Sequence, residues 1–302
     1  MTNNNFEVII IGGGYAGLSA ALSLGRSLRK VLIIEGNSPS ANKRSKFSYN
    51  FITQDGIKPE SILKQAKDQI LKYDTLKFIS DIAISVQKSN DLCFINTFSG
   101  HKFNSKKIIF ATGIKYIYPK IKGFSECWGV SIIHCSGCHG YEFKNKKTAI
   151  LANGDSAFMF ISIVLNLTDK ISILTNGESS FSPMQLEKLN SRKIQIIESK
   201  IKEIQHVEGV IKNVVFDNNI SSDFEVLYAF PELNQKSELP SKLGCQFTDD
   251  GLIKVDSYNR TTVNGVYACG DNSSDRRSIS NAVVNGHLAG ATVNLELSIE
   301  SF

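Results

Sequence analysis

Val8-Ile9-Ile10-Ile11-Gly12-Gly13-Gly14-Tyr15-Ala16-Gly17 is the stretch whose reading decides the fold. The apolar run at residues 6–11 predicts a buried strand, and Leu18, Ala21, Leu22 and Leu28 recur at helical spacing directly after the glycines. A second apolar strand at residues 31–34 completes a βαβ unit. In such a turn Gly12 permits the tight reversal, Gly14 lets the backbone approach a pyrophosphate, and Gly17 allows close helix packing. The helix amino terminus then offers N–H groups and a positive dipole end to an anion. Glu35 ends the second strand, 18 residues beyond Gly17, where a carboxylate can hold the hydroxyls of an adenosine ribose. A dinucleotide is therefore expected, and this motif alone does not separate FAD from NAD.

Pro59-Glu60 opens a predicted helix to about residue 73, with Ile62, Leu63, Ala66 and Ile70 on one face. Strand-like segments follow at 78–86, 92–98 and 106–110. Beyond Ala111-Thr112-Gly113 the pattern begins again, with a strand at 148–151, a glycine turn at Asn153-Gly154, a helix at 156–167 and a strand at 171–174. The last stretch reads as strands at 252–255 and 265–269 and a long helix over about 278–297. Two βαβ starts in 302 residues imply an α/β chain of two domains.

Apolar residues at 42% and charged residues at 21% exclude collagenous, disordered and membrane classes. The formal charge of +5 comes from scattered lysines, without the basic stripe interleaved with aromatics that a nucleic acid partner needs. No apolar run approaches the ~18 residues of a membrane span, and no signal segment opens the chain, so a cytoplasmic location is expected. Of six cysteines, Cys93, Cys127, Cys245 and Cys269 are spread without metal-ligand spacing, so no metal site is expected.

Cys135 and Cys138 form the one local pair, within His134-Cys135-Ser136-Gly137-Cys138-His139-Gly140-Tyr141-Glu142. A Cys-x-x-Cys at a helix start brings two sulfurs within bonding distance, and the helix dipole favours thiolate. One cysteine can exchange with a partner thiol or disulfide while the other resolves the mixed disulfide. His139 titrates near neutrality and is a candidate general acid/base, with Glu142 as a possible orienting group. His134 reads at least as well as a packing residue.

Val266-Tyr267-Ala268-Cys269-Gly270-Asp271, a strand ending in Gly-Asp before a long helix, resembles the second flavin fingerprint of the flavoproteins with two dinucleotide-binding domains. The resemblance implies FAD, with Gly270 and Asp271 at its ribitol chain and Arg277, Ser278 and Ala282 near the pyrimidine edge of the ring. Ala111-Thr112-Gly113 matches a third signature, where the chain leaves the FAD domain. The order of these motifs resembles a low-molecular-weight thioredoxin reductase over essentially the whole chain. It implies two Rossmann-like dinucleotide-binding domains, the second inserted into the first, with boundaries at residues 1–114, 115–243 and 244–302. It further implies that Cys138 faces the flavin, that Cys135 is the interchange thiol, and that the chain forms a homodimer.

Departures from that pattern bear on function. His139 stands where ordinary thioredoxin reductases carry an aspartate. The second nucleotide turn reads Ala152-Asn153-Gly154-Asp155-Ser156-Ala157, and Thr175-Asn176-Gly177-Glu178 follows the next strand with no arginine. A 2′-phosphate needs fixed cationic donors, so NADPH is a doubtful cofactor. The Cys-x-x-Cys-His-Gly-Tyr-Glu run, Leu174-Thr175-Asn176-Gly177 and the segment from Thr53 to Glu60 are similar to the dithiol oxidases that close disulfides in gliotoxin- and holomycin-type metabolites. Ser136 replaces their usual proline. The expected function is oxidation of a dithiol through the cysteine pair and FAD with oxygen as acceptor. Two alternatives stand beside it: a disulfide reductase fed by NAD(P)H or a donor such as ferredoxin, and a non-catalytic flavin-binding redox sensor. Expected partners are a small dithiol or disulfide substrate or a thioredoxin-like protein.

Overall fold

Residues 4–36 and 42–302 are described by a computed structural model of the chain. One unit comprises Met1–Lys43, Ile57–Lys115 and Leu233–Phe302, and the other Arg44–Gly56 and Tyr116–Glu232.

The first unit opens with β1 (Asn5–Ile11), α1 (Tyr15–Arg26) and β2 (Val31–Glu35). Helix α1 stops before Leu28, which adopts a left-handed conformation (φ 57°) and is exposed. Leu28 N–H bonds the Gly25 carbonyl and Arg29 N–H that of Leu24, the paired closure that satisfies carbonyls at a helix end. Then come α2 (Pro59–Ile70), β3 (Leu76–Ser80), β4 (Ala83–Ser89), β5 (Leu92–Thr97) and β6 (Lys102–Phe110). The strand expected at 78–86 is thus two strands. Buried Asp81 turns the chain between them, its carboxylate accepting from Ile82 N–H at 2.7 Å and Ser99 N–H at 3.2 Å.

The second unit contains β7 (Ile114–Ile117), which begins at the boundary, then α3 (Phe124–Cys127), β8 (Ile132–Ile133) and α4 (Ser136–His139). It continues with β9 (Thr148–Leu151), α5 (Gly154–Val164), β10 (Ile171–Leu174), α6 (Pro183–Ser191) and β11 (Gln195–Ile197). Next are β12 (Ile201–Val207), β13 (Val210–Phe216), β14 (Ser221–Ser222) and β15 (Val226–Ala229). The chain returns through β16 (Glu232–Gln235), α7 (Leu239–Lys242), β17 (Val266–Ala268) and α8 (Ile279–Ser301). The segment at 252–255 makes only isolated bridges, Ile253 to Phe247 and Val255 to Thr261, so the strand expected there is not formed.

In the first unit β3-β2-β1-β6 are parallel and β17 joins the second half of β6, while β5 and β4 run on antiparallel from its first half. Side chains alternate between faces: Val8 and Ile10 pack with α1 and α8, Ile9 and Ile11 with Val86, Ile95 and Leu239. The second unit repeats the parallel design as β11-β10-β9-β15-β8, with β12-β13-β14 as a separate antiparallel sheet. The chain re-enters the first unit at Leu233, earlier than the boundary anticipated at 244, because Leu239 is buried among Ile9, Ile108 and Val266 with Leu243 packed against that cluster. Arg44–Gly56 groups with the second unit, which sequence order does not suggest.

Helices α1 and α8 touch backbone to backbone. A methyl at Gly286 would fall 2.1 Å from the Ala16 carbonyl oxygen and one at Gly290 2.7 Å from that of Ala20. In an unconstrained helix Gly→Ala stabilises by about 1 kcal/mol. Here the added carbon meets immovable backbone, and overpacking costs about 1–3 kcal/mol. Gly286→Ala is therefore expected to lower the chemical-denaturation midpoint, against the propensity trend; a raised midpoint would contradict this packing.

Candidate active site

The turn after β1 has the geometry its glycines foretell. Gly12 has φ 114°, and a Cβ on Gly17 would lie 1.9 Å from the Gly12 carbonyl oxygen, so α1 starts directly against the turn. A Cβ at Gly14 would meet nothing within 4 Å, which leaves the front of the turn open. Glu35, at the end of β2, accepts a hydrogen bond from Gly13 N–H. At the end of β17, Gly270 is left-handed (φ 88°) and carries the chain into Asp271. Burial pushes the Asp271 carboxyl up to about 6, against the pull of Arg277 and Lys236. Ser278 caps α8 by accepting from Asn281 N–H at 3.1 Å, while Ala282 is buried in the core against α1.

Four buried polar atoms in this unit have no protein partner among the described residues: Thr75 Oγ1, Arg277 Nε, Asn272 Oδ1 and Gln235 Oε1, and the last of these sits on the residue that bonds the Asn272 carbonyl. Buried polar groups are otherwise satisfied, so such atoms mark a place for a polar ligand. Asn272 was not singled out in the sequence. Its Nδ2 donates to the Phe110 carbonyl at 2.9 Å and Thr112 Oγ1 at 3.2 Å, joining the Ala111-Thr112-Gly113 turn to the Gly270-Asp271 turn. An open glycine turn, a carboxylate at the end of the neighbouring strand, a buried aspartate and unsatisfied polar atoms fit FAD.

The corresponding turn of the second unit is filled by its own side chains. Asn153 Oδ1 accepts from Gly154 N–H and from Ser180 N–H, both at 2.9 Å, and Asn153 Nδ2 donates to the Glu178 carbonyl at 2.8 Å. The loop after β10 is thereby drawn onto the start of α5. Glu198 accepts from Ser179 N–H at 2.8 Å, which adds a carboxylate where a 2′-phosphate would need cations. Asp155 is tied to Gln185, which also completes the capping box of α6.

Cys135 and Cys138 are joined by a disulfide, their Cα atoms 5.3 Å apart. Helix α4 is a single turn capped by Cys135, so the support for a thiolate is one direct bond, Cys138 N–H to Cys135 Sγ at 3.0 Å, more than the dipole of a long helix. Burial lowers the His139 pKa below its ordinary value of 6.5. Its ring meets Tyr49 edge-on with centroids 5.9 Å apart, and Nε2 lies 3.5 Å from Ser45 Oγ. Ser45 and Tyr49, neither evident from sequence, thus contact His139, whereas Glu142 has no hydrogen bond to it among the described residues. Burial and then the charge of Asp55 raise the Glu142 pKa. Asp55 holds Asn50 N–H at 2.7 Å, and β-branched Thr53 is left-handed (φ 71°), a strained backbone in the segment beside the disulfide. His134 stacks on Trp128 within the Tyr116–Tyr118–Phe124–Trp128 cluster, a packing role. Lys146 pairs with Glu225 and Lys147 with Asp223.

The pyridine nucleotide-disulphide oxidoreductase family model matches residues 6–286. The thioredoxin reductase tcpT of Claviceps purpurea (strain 20.1) is 27% identical, over 98% of this chain and 95% of its own length. The putative thioredoxin reductase TrxB of Bacillus anthracis superposes with a TM-score of 0.93 at 26% identity, covering 98% of this chain and 100% of that one. An oxidoreductase from Agrobacterium tumefaciens gives 0.91 at 30% identity, covering 98% and 99%.

Cys93, Cys127, Cys245 and Cys269 are buried, and burial pushes the Cys127 thiol up to about 11 and that of Cys269 to about 12. Alkylation of the reduced, folded protein at neutral pH is therefore expected to label Cys135 and Cys138 alone. Mass-spectrometric label on any of the other four would contradict the site.

Proposed function

The chain belongs to the pyridine nucleotide-disulphide oxidoreductase family, as an FAD-dependent enzyme of thioredoxin reductase type, and within it we propose that Cys135 and Cys138 oxidise a dithiol to a disulfide, with oxygen as final acceptor. The observation that carries this direction is the filled second turn. Asn153 already receives the Gly154 N–H that a pyrophosphate would seek, and Glu198 opposes a 2′-phosphate. The resemblance of the Cys135–Glu142 run to dithiol oxidases supports the same reading.

A substrate thiolate attacks Cys135 Sγ, and the electron pair of the broken S–S bond passes to Cys138 Sγ. The second substrate thiol gives its proton to His139 and attacks the substrate sulfur of the mixed disulfide. Cys135 leaves as thiolate, stabilised by Cys138 N–H. The substrate has then lost two electrons and one proton to the protein, its other proton having gone to solvent when the attacking thiolate formed. In this reading Gly12, Gly14, Gly17 and Glu35 hold the adenosine side of FAD, while Gly270, Asp271, Arg277, Ser278 and Ala282 serve the flavin side. Bound FAD supplies the two-electron acceptor that restores the disulfide, with oxygen carrying the pair away as hydrogen peroxide.

Without air, NADPH or NADH should leave the visible flavin band intact, whereas a small dithiol bleaches it; in air the dithiol drives oxygen uptake and Cys138→Ser abolishes it. Rapid bleaching by NADPH would instead establish a reductase. His139 supplies a second check. Its folded pKa lies below 6.5, so the neutral base persists into mildly acidic solution and the acid limb of kcat/KM lies below that pH. Tyr49→Ala lets water reach the imidazole, relieving the desolvation that disfavours its charged form, and the limb should move up toward 6.5. A limb that stays put would remove His139 as the base.

A further inference from the structure

In the first unit the strands that end at the open turn stand in the order β2-β1-β6-β17. Glu35 closes β2 and Asp271 follows β17. Neighbouring strands are about 4.8 Å apart, so three spacings separate the two positions by roughly 14 Å. Lys236 is half-buried, and its ammonium interacts electrostatically with both Glu35 and Asp271. A single charge that acts on carboxylates at both ends of this row lies within electrostatic reach of each. Beside it in sequence, Gln235 Nε2 donates to the carbonyls of Asn272 at 2.8 Å and Gly251 at 2.9 Å, fixing this stretch of chain alongside the Asp271 turn. The open face of Gly14 follows directly from β1.

In the reading above, Glu35 takes the adenosine ribose and Asp271 the ribitol. The part of FAD that joins ribose to ribitol is its diphosphate. We propose that Lys236 is the side-chain cation of the FAD diphosphate site, acting with the main-chain N–H groups of the glycine turn. The inference rests on the flavin assignment of Glu35 and Asp271 and adds a residue to it. The physical need is charge. The turn offers neutral dipoles, while the crevice already holds two carboxylates and would receive a dianionic linkage. Arg277 acts on Asp271, whereas Lys236 acts on the Glu35 side as well. An ammonium is a compact point charge able to serve phosphate oxygens of either phosphoryl group.

The full chain, freed of flavin, is titrated with FAD by fluorescence, with ADP and adenosine as competitors. Lys236→Met should weaken FAD and ADP by about ten- to a hundredfold, the worth of one charge-assisted contact, and flatten the salt dependence of binding. Adenosine, which lacks the diphosphate, should compete as before, and Lys236→Arg should recover most of the loss. The assignment is overturned if Lys236→Met binds FAD and ADP like the wild type, if adenosine weakens as much as ADP, or if Lys236→Arg is as impaired as Lys236→Met. Wild-type chain that takes up no FAD at all would sink the flavin site itself and the lysine with it. Normal wild-type uptake with an indifferent Lys236→Met sinks the lysine alone.

Discussion

The contact between Gly17 and the Gly12 carbonyl is the constraint from which the first unit is built. With no side chain at position 17, α1 begins immediately beyond β1, and its N-terminal N–H groups lie at the end of the parallel sheet. The same helix then presents Ala16 and Ala20, whose carbonyls receive Gly286 and Gly290 of α8 at backbone distance. Position and tilt of α8 follow from that contact, and with them the places of Ser278 and Arg277 at its start. Asn272 ties the remaining corner by bonding Phe110 and Thr112. A ligand site distributed over both ends of the polypeptide is thus held by packing between small residues, where a shift of one methyl is felt.

The second unit shows how the same architecture can serve another end. Its parallel sheet and its strand–turn–helix start would suit a dinucleotide. Asn153 puts an acceptor on the Gly154 N–H at the start of α5, and the loop from Thr175 to Ser180 folds onto it. The helix end is satisfied internally, and the local charge contributed by Glu198 is negative. What this unit keeps is the support of the disulfide: Gly140 gives the turn after Cys138 room against Tyr228 and Leu167, and the 44–56 segment walls the His139 ring.

Selectivity among the six thiols is a matter of solvation. Four sit where a thiolate would be stranded in apolar surroundings, whereas Cys135 is half-buried and has the Cys138 N–H directed at its sulfur. His139 is tuned the opposite way from a surface imidazole, since burial favours its neutral, proton-accepting form.

Sequence alone determined the two βαβ starts, the glycine turn with Glu35, the Gly-Asp end of β17 and the Cys135–Cys138 pair. These rest on periodicity and on turn chemistry between near neighbours, which a local pattern records. It also exposed the lack of arginine after β10. The split of β3 from β4 around Asp81, the β12-β13-β14 sheet, and the early return at Leu233 were decided by tertiary structure, because each depends on which distant strand or core cluster a short segment meets. The contacts of Ser45 and Tyr49 with His139, the closure of Asn153 upon Ser180, and the anchoring of Gln235 at Asn272 belong to the same class. Their partners lie tens of residues away, and the hydrogen bonds and desolvation that give these side chains their roles exist only once folding has brought the partners together.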